Sequence, residues 1–300
     1  VTAGHHRRVD VWLSLPFLPA EGLVALALAA ERAGVTGVAL SEHPAVPAAF
    51  SSPYPYGGGR PASLPTDTLL PDPIVAIADL AARTSSIRFM TAVLLAPLRH
   101  PVMLAKETAT VAAMAGGRFE LGVGVGWLRE EYEALGNEWF SSRGAVLDEM
   151  LELIPKLWTG APVAHQGRFF TFDAVAVNPT PPRPIPVFVG GTSGVAARRC
   201  AAVADGWVGA NHTVDDVAAM MGRLETARSA LNAPSRPFTT RTGLRGAVTP
   251  ESVRALRDMG VDSLLLAPWQ VGERRPSIHS LDVDAIAEAL PNMVDMITNT

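Results

Sequence analysis

Strand and helix signals alternate along this chain eight times over, and that rhythm limits the folds open to it more than any other feature. Val9–Leu15 is a short apolar run stopped by Pro16, and Glu21–Gly34 is an Ala- and Leu-rich stretch that stops at Gly34. This is the pattern of a buried strand followed by a helix. Val35–Ser41 is the next strand, and Asp72-Pro73 opens a helix to Thr84 with proline in its first turn. Strands over Ile87–Leu95 and Phe119–Val125 flank a helix over Pro101–Ala115, and a long helix over Ser141–Trp158 is closed by Gly160. The second half has strands over Val187–Val189, Gly206–Ala210, Phe238–Leu244 and Ser263–Ala267. Its helices run over Ser193–Ala204, Val214–Leu231, Pro250–Met259 and Asp282–Met296. Eight such pairs predict an α/β fold whose parallel sheet closes on itself, a single (β/α)8 TIM barrel. Residues 1–300 are read as one domain, with residues 1–8 as a loose tail.

Two segments interrupt the rhythm. His43–Pro71, a long loop rich in Pro, Gly, Ser and Tyr, follows the second strand. It therefore belongs to the C-terminal face, where barrels of this kind keep their active sites, and loops of that length are functional or disordered. Gly160–Pro186 is an excursion before the fifth strand, read as a hairpin around Gly167–Phe172 and not as a separate domain.

Composition excludes several classes of function. Apolar residues make up 48% of the 300 and charged residues 18%, which supplies a large core and argues against disorder. The net charge is −4 and no Lys/Arg run is present, so a nucleic-acid partner is set aside. The longest apolar runs, such as Leu23–Ala30, are too short to span a membrane. No signal-type apolar stretch precedes the first strand, and a chain with a single cysteine is expected to be cytoplasmic. Cys200 is the one cysteine, which excludes an internal disulfide and a cysteine metal cluster. The seven histidines are scattered without metal-ligand spacing, and no G-x-S-x-G elbow occurs. Cys200 falls mid-helix among apolar residues and is read as inert.

Four stretches could carry chemistry. In V-F-V-G-G-T-S-G (Val187–Gly194) a strand runs into Gly190-Gly191, and Thr192 or Ser193 caps the next helix. Glycine admits close backbone approach, and a helix start offers free N–H groups to a phosphate. An ordinary glycine turn with a serine cap fits the same residues. Arg198 and Arg199, inside that helix, fit a solvated face or a packing ion pair better than a phosphate contact. In R-F-E-L-G-V-G-V-G-W-L-R-E-E (Arg118–Glu131), glycines at 122, 124 and 126 clear space along the fourth strand. Trp127 then stands where it could wall a ligand, although tight barrel packing explains the glycines as well. His43, in Ser41-Glu42-His43 at the end of the second strand, faces the barrel mouth. It is either a proton-transfer group or a ligand-positioning one. Glu42 is expected to point away into an ion pair. Arg99 and His100 could reach an anionic group, but a structural role at the start of the helix suits them better.

Taken in order, R-H-P-V-M-L-A-K-E-T-A-T (Arg99–Thr110), G-G-R-F-E-L-G-V-G-V-G-W-L-R-E-E-Y-E-A-L-G (Gly116–Gly136) and V-G-G-T-S-G-V-A-A-R-R-C-A-A-V-A-D-G-W (Val189–Trp207) resemble the bacterial luciferase-like monooxygenase superfamily. Within it the chain most resembles the branch of F420 (deazaflavin)-dependent oxidoreductases. Y-P-Y-G-G-G-R (Tyr54–Arg60) and L-W-T-G-A-P-V (Leu157–Val163) fit that branch too. The resemblance implies a barrel that holds F420, or alternatively flavin mononucleotide (FMN), at its C-terminal mouth. It places the cofactor phosphate at Gly190, Gly191, Thr192 and Ser193. It places a non-proline cis peptide at Ala92-Val93, bulging against the ring, with Gly124 and Trp127 beside it and His43 as the catalytic group.

The same resemblance implies an oxidoreductase that moves a hydride between the deazaflavin and a small organic substrate. The chain is expected to form a homodimer. The alternatives are an FMN-dependent monooxygenase fed by a partner flavin reductase, and a non-catalytic flavin-binding relative. Deazaflavin enzymes that oxidise glucose 6-phosphate carry an acid where this chain has Trp127. That residue cannot exchange a catalytic proton, which argues against sugar-phosphate oxidation and for a less polar substrate.

Overall fold

Each stave of the barrel is a short run buried on both faces, which is why it reads as continuous apolar sequence rather than as an alternation. The computed structural model describes residues 8–55, 64–231, 236–271 and 281–300. Most of the expected tail, and residues 56–60 of the motif that begins at Tyr54, lie outside the described residues. The first half comprises β1 (Asp10–Ser14), α1 (Ala20–Arg32), β2 (Gly37–Leu40), α2 (Pro73–Arg83), β3 (Arg88–Thr91), β4 (Leu94–Leu95), α3 (Pro101–Met114) and β5 (Phe119–Gly124). There follow α4 (Arg129–Ala134), α5 (Arg143–Leu157), β6 (Val163–Gln166) and β7 (Thr171–Val175). The remainder is β8 (Val187–Gly190), α6 (Gly194–Val203), β9 (Gly206–His212), α7 (Val214–Ala230), β10 (Thr239–Leu244), α8 (Pro250–Asp258), β11 (Ser263–Leu266) and α9 (Val283–Thr298).

The staves pair in parallel as β1–β2–β3–β5–β8–β9–β10–β11, and β11 returns to β1. Closure leaves the ring without an open edge. Local chemistry sets the helix starts. Asp72 Oδ1 accepts from the N–H groups of Ile74 (2.9 Å) and Val75 (3.0 Å) ahead of Pro73, and Thr213 and Thr249 cap α7 and α8.

The third stave differs from the continuous strand expected over Ile87–Leu95. It stops at Thr91, passes through a cis peptide bond between Ala92 and Val93, and resumes as β4 beside Val123 and Gly124 of β5. The helix expected from Ser141 starts at Arg143, after a 3-10 turn over Glu138–Ser142, and α4 precedes both. The excursion is an antiparallel hairpin, β6 against β7, with Gln166 opposite Thr171. Glu149 of α5 ties it to the helical layer by accepting from the N–H groups of Arg168, Phe169 and Phe170 and pairing with His165 Nε2 at 3.0 Å.

The main core lies between staves and helices, and a second cluster fills the barrel itself: Trp12, Ala39, Met90, Phe188, Val208 and Leu265. The Arg241 guanidinium lies 3.6 Å above the Trp12 ring and donates to Glu120 Oε2 at 2.8 Å. Arg88 takes the other oxygen of Glu120. Charges buried this deeply persist only when paired. This filling explains Gly37 and Gly206, where a Cβ would stand 2.5 Å from the Trp12 ring and 2.4 Å from the Phe188 ring.

Candidate active site

A cavity of about 310 Å3 opens at the N-terminal end of the barrel among the paired charges of Arg88, Glu120 and Arg241. The groups that could carry chemistry gather at the opposite end, the C-terminal mouth, where barrels of this fold do their work. The inward positions of the eight staves at floor level are Trp12, Ala39, Met90, Gly122, Phe188, Val208, Arg241 and Leu265. Side chains alternate along a strand, so two residues further on the same face carries Ser14, Ser41, Ala92, Gly124, Gly190, Ala210, Gly243 and Ala267. Every one is Ser, Ala or Gly. Small side chains thus ring the mouth above a plugged floor, as a shallow bowl.

Val93 lies between two of those positions. A Cβ on Gly124 would stand 2.5 Å from Val93 Cγ2, and one on Gly190 would stand 2.9 Å from Val93 Cγ1. Gly122 answers to the backbone instead, since its Cβ would stand 2.0 Å from the Thr91 carbonyl oxygen. Thr91 Oγ1 meanwhile donates to the Gly122 carbonyl (2.7 Å) and accepts from its N–H (3.0 Å). The alternating glycines of β5 thus admit the neighbouring stave where it breaks.

The expected phosphate turn sits at the edge of the bowl. Gly190 ends β8, Gly191 has φ of 104°, and Ser193 caps α6 by accepting from the Ala196 N–H at 3.1 Å. The cap is therefore Ser193 and not Thr192. The first N–H groups of the helix have no partner within it. Trp207 Nε1 fixes the Gly191 carbonyl (2.8 Å), and Arg223 of α7 fixes the Thr192 carbonyl (3.0 Å). Arg198 reaches back along α6, its Nη1 3.7 Å from where a Cβ of Gly194 would stand. Two guanidinium groups consequently flank a helix start that already favours anions. Arg199 instead pairs with Asp148 at 2.5 Å, and Cys200 is buried in the same helix, its thiol pushed up to about 12 by burial.

On the opposite side, His43 Nδ1 lies 3.3 and 3.2 Å from the two carboxylate oxygens of Glu131, which has no exposed side-chain surface. Trp127 meets three rings edge-on: His43 at 5.9 Å, Phe50 at 5.8 Å and Tyr54 at 5.3 Å. Residues 43–54 of the loop after β2 are thereby drawn against Trp127. Tyr54 bonds the Asn211 side chain at the end of β9, and burial pushes the pKa of its phenol up. Glu130 clamps the loop, accepting from the N–H and hydroxyl of Ser51 (2.7 and 3.1 Å) and of Ser52 (3.2 and 2.7 Å). Burial alone would raise the Glu130 carboxyl, but these hydrogen bonds bring it down to about 2.

The other sequence candidates fall outside the bowl. Glu42 points away, as expected, and accepts from Leu95 N–H (2.7 Å) and from Arg99 (2.9 and 2.5 Å). His100 caps α3 through Nδ1 and packs on Phe170 and Phe172 of the hairpin. Arg99 is engaged by Glu42, Asp72 and Glu107, and His100 takes the structural role at the helix start that suits it. Glu130, Glu131, Asn211 and Arg223 were not singled out from sequence; the E-E pair of R-E-E-Y was the available signal for the first two. Among the described residues no group of His, Cys, Asp and Glu could hold a metal ion, and no helix is long and apolar enough to cross a membrane.

Fold and mouth together define a barrel of the enzyme-bearing type, with a flat-floored bowl between a helix start on one side and an acid-paired histidine on the other. The chain belongs to the luciferase-like monooxygenase family, whose model matches residues 6–285. An uncharacterized protein of Mycobacterium tuberculosis is 32% identical over 270 residues, which cover 90% of this chain and 91% of that one. The F420-dependent glucose-6-phosphate dehydrogenase of Nakamurella multipartita is 34% identical over 196 residues. That match covers 64% of this chain and about half, 52%, of the relative. Among solved structures, the monooxygenase RslO1 from Streptomyces bottropensis superposes with a TM-score of 0.73 at 19% identity, covering 96% of this chain and 98% of that one.

Proposed function

We propose that this protein is an oxidoreductase that passes a hydride between F420 and an organic substrate at the barrel mouth. The observation that carries the reading is the ring of eight Ser, Ala and Gly positions above a plugged floor, adjoining the start of α6. A flat tricyclic ring with a phosphate tail matches that shape, and the F420-dependent relative supports the deazaflavin. Gly190, Gly191, Thr192 and Ser193 would hold the phosphate, with Arg198 and Arg223 beside it. Ala92, Val93 and Gly124 would back the ring, and Trp127 would wall it. Bound there, the cofactor supplies the hydride chemistry; the protein orients it and keeps water out. His43 is the proton-transfer group. Trp127, Phe50 and Tyr54 give the substrate side an apolar wall, so the substrate is less polar than a sugar phosphate.

The second reading, an FMN-dependent monooxygenase fed by a partner flavin reductase, is favoured by the likeness to RslO1. Titration of the protein with F420 and with FMN, followed by quenching of tryptophan fluorescence, separates the two. Micromolar affinity for FMN with none for F420 refutes the first reading. Binding of F420 without turnover against any substrate of a broad panel of alcohols, aldehydes and enones points to a non-catalytic binder.

The family reading also carries a homodimer. Sedimentation at micromolar concentration tests it, with a monomer as the refuting result.

A further inference from the structure

Glu131 is a carboxylate with no exposed surface, and no Lys or Arg pairs with it among the described residues. Its partners are His43 Nδ1, at 3.3 and 3.2 Å, and the N–H of Ala45 at 3.3 Å. A carboxylate can only accept, and one removed from water must find donors. The Ala45 amide is one. The second has to be a proton on Nδ1 of His43. The opposite ring nitrogen, Nε2, has no partner among the described residues, and the His43 side chain is 17% exposed in the mouth.

We infer that Glu131 is the positioning residue of this site. It holds the His43 ring with a proton on Nδ1 and turns Nε2 toward the substrate. The two ring nitrogens of a histidine are distinct, and the bond made by one fixes the task of the other. Trp127 braces the ring edge-on, leaving little freedom to flip. The inference rests on the proposed function for its chemical meaning. Oxidation of a carbinol would release a hydride from carbon, for which the deazaflavin would supply the acceptor, and a proton from oxygen, which Nε2 of His43 would accept as the carbonyl forms. Glu131 then faces an imidazolium, whose charge it balances. In the reverse direction the same imidazolium returns the proton to the carbonyl oxygen.

The tautomer is measurable without cofactor or substrate, so its outcome is independent of whether F420 binds. Protein labelled with 15N-histidine is examined by long-range proton–nitrogen correlation at a pH where the ring is neutral, and His43 is assigned by the signals lost in His43→Asn. The expected result is a protonated Nδ1 and a bare Nε2. The opposite tautomer overturns the inference. Glu131→Gln offers one acceptor oxygen to two donors and adds an amide that can donate to Nδ1, so it is expected to move His43 toward Nε2–H. An unchanged tautomer in that variant also overturns the inference. With F420 and a substrate in hand, Glu131→Gln is expected to lower kcat by about 10²-fold, the lower end of what acid–base catalysis contributes. F420 affinity should stay within about twofold, because Glu131 touches only the histidine and its loop. Normal kcat alongside a changed tautomer assigns Glu131 a structural role and refutes the catalytic part.

Discussion

Gly124→Ala tests the architecture of the mouth with one methyl group. The new Cβ would stand 2.5 Å from Val93 Cγ2 and 3.4 Å from Val93 Cβ. The first distance is far inside contact and the second is tolerable, so the clash lies with the end of one side chain. Overpacking of this kind costs about 1–3 kcal/mol. Loss of chain entropy from the unfolded state returns about 0.4–1 kcal/mol, which leaves a net loss of about 1–2 kcal/mol. Val93→Ala alone removes two half-buried methyls, at about 0.8 kcal/mol each when fully buried. Together the two changes are expected to be more stable than their sum by about 1–2 kcal/mol, because the second removes what the first strikes.

Gly122→Ala is the control. Its Cβ would stand 2.0 Å from the Thr91 carbonyl oxygen, a backbone atom that no side-chain deletion relieves, and Val93→Ala should not rescue it. Urea unfolding followed by tryptophan fluorescence reads the midpoints, and the four-way comparison of Gly124→Ala and Val93→Ala gives the coupling. Additivity within about 0.5 kcal/mol would refute the placement of Val93 against Gly124, and with it the claim that these glycines exist to admit the broken stave. F420 titration of the same set separates stability from shape. The double variant should regain stability but not affinity, since Val93 no longer fills the back of the bowl.

Two further outcomes follow from carboxylates with backbone partners. Glu31 accepts from the N–H groups of Ser85, Ser86 and Ile87, which overcome the upward push of burial and bring its carboxyl to about 2 from an ordinary 4.5. A lowered folded value gives stability that is present above pH 4.5 and lost as pH falls toward 2. Glu31→Gln should therefore lose about 1–2 kcal/mol at pH 7, and its gap from wild type in urea midpoint should close between pH 5 and 2. A gap that does not vary with pH refutes the assignment. Glu130→Ala should free the Ser51–Ser52 turn, speeding hydrogen exchange of those two amides by about tenfold or more while peptides from β8 and α6 are unchanged. Unaltered exchange at Ser51 and Ser52 would mean the clamp does not hold the loop.

The barrel was legible because its grammar is local. A strand buried on both faces is an apolar run, and Pro16, Gly34, Pro73 and Gly160 punctuate the runs as backbone geometry requires. The parts that escaped depend on neighbours distant in the chain. The six residues of α4, R-E-E-Y-E-A, have no apolar period, and tertiary bonds hold them in place: Tyr132 Oη donates to the Val125 carbonyl at 2.6 Å, and Glu130 and Glu131 both reach the loop after β2. The partner of His43 lies 88 positions away, beyond any periodicity argument. The sequence suits His100 to a structural role at the helix start, but the rings of Phe170 and Phe172 that pack on it come from the later hairpin. The glycines of β5 announced that space was needed but not what filled it. T-A-V-L-L reads as uninterrupted strand, and only the family resemblance marked Ala92-Val93 as the place where the stave breaks.

Three acids divide the work on one side of the mouth. Glu42 holds Arg99 and the N–H of Leu95, fixing the stave beyond its break; Glu130 holds the loop; Glu131 holds His43. Glu130 and Glu131 are adjacent in one short helix, so a shift of α4 moves the loop and the histidine together. Glu130 and Glu131 have separate partners but one helix and one loop between them, so changes at the two should not combine additively. The turn at Gly190–Ser193 is built from β8, α6, Trp207 and Arg223 and has no hydrogen-bond partner in that cluster. On the proposed function, the mouth would separate into a binding half, set by backbone and helix start, and a reacting half, set by one acidic helix and the loop residues it holds. Such a division would let the loop and its wall of Phe50, Tyr54 and Trp127 vary with substrate while the proposed phosphate turn stays fixed.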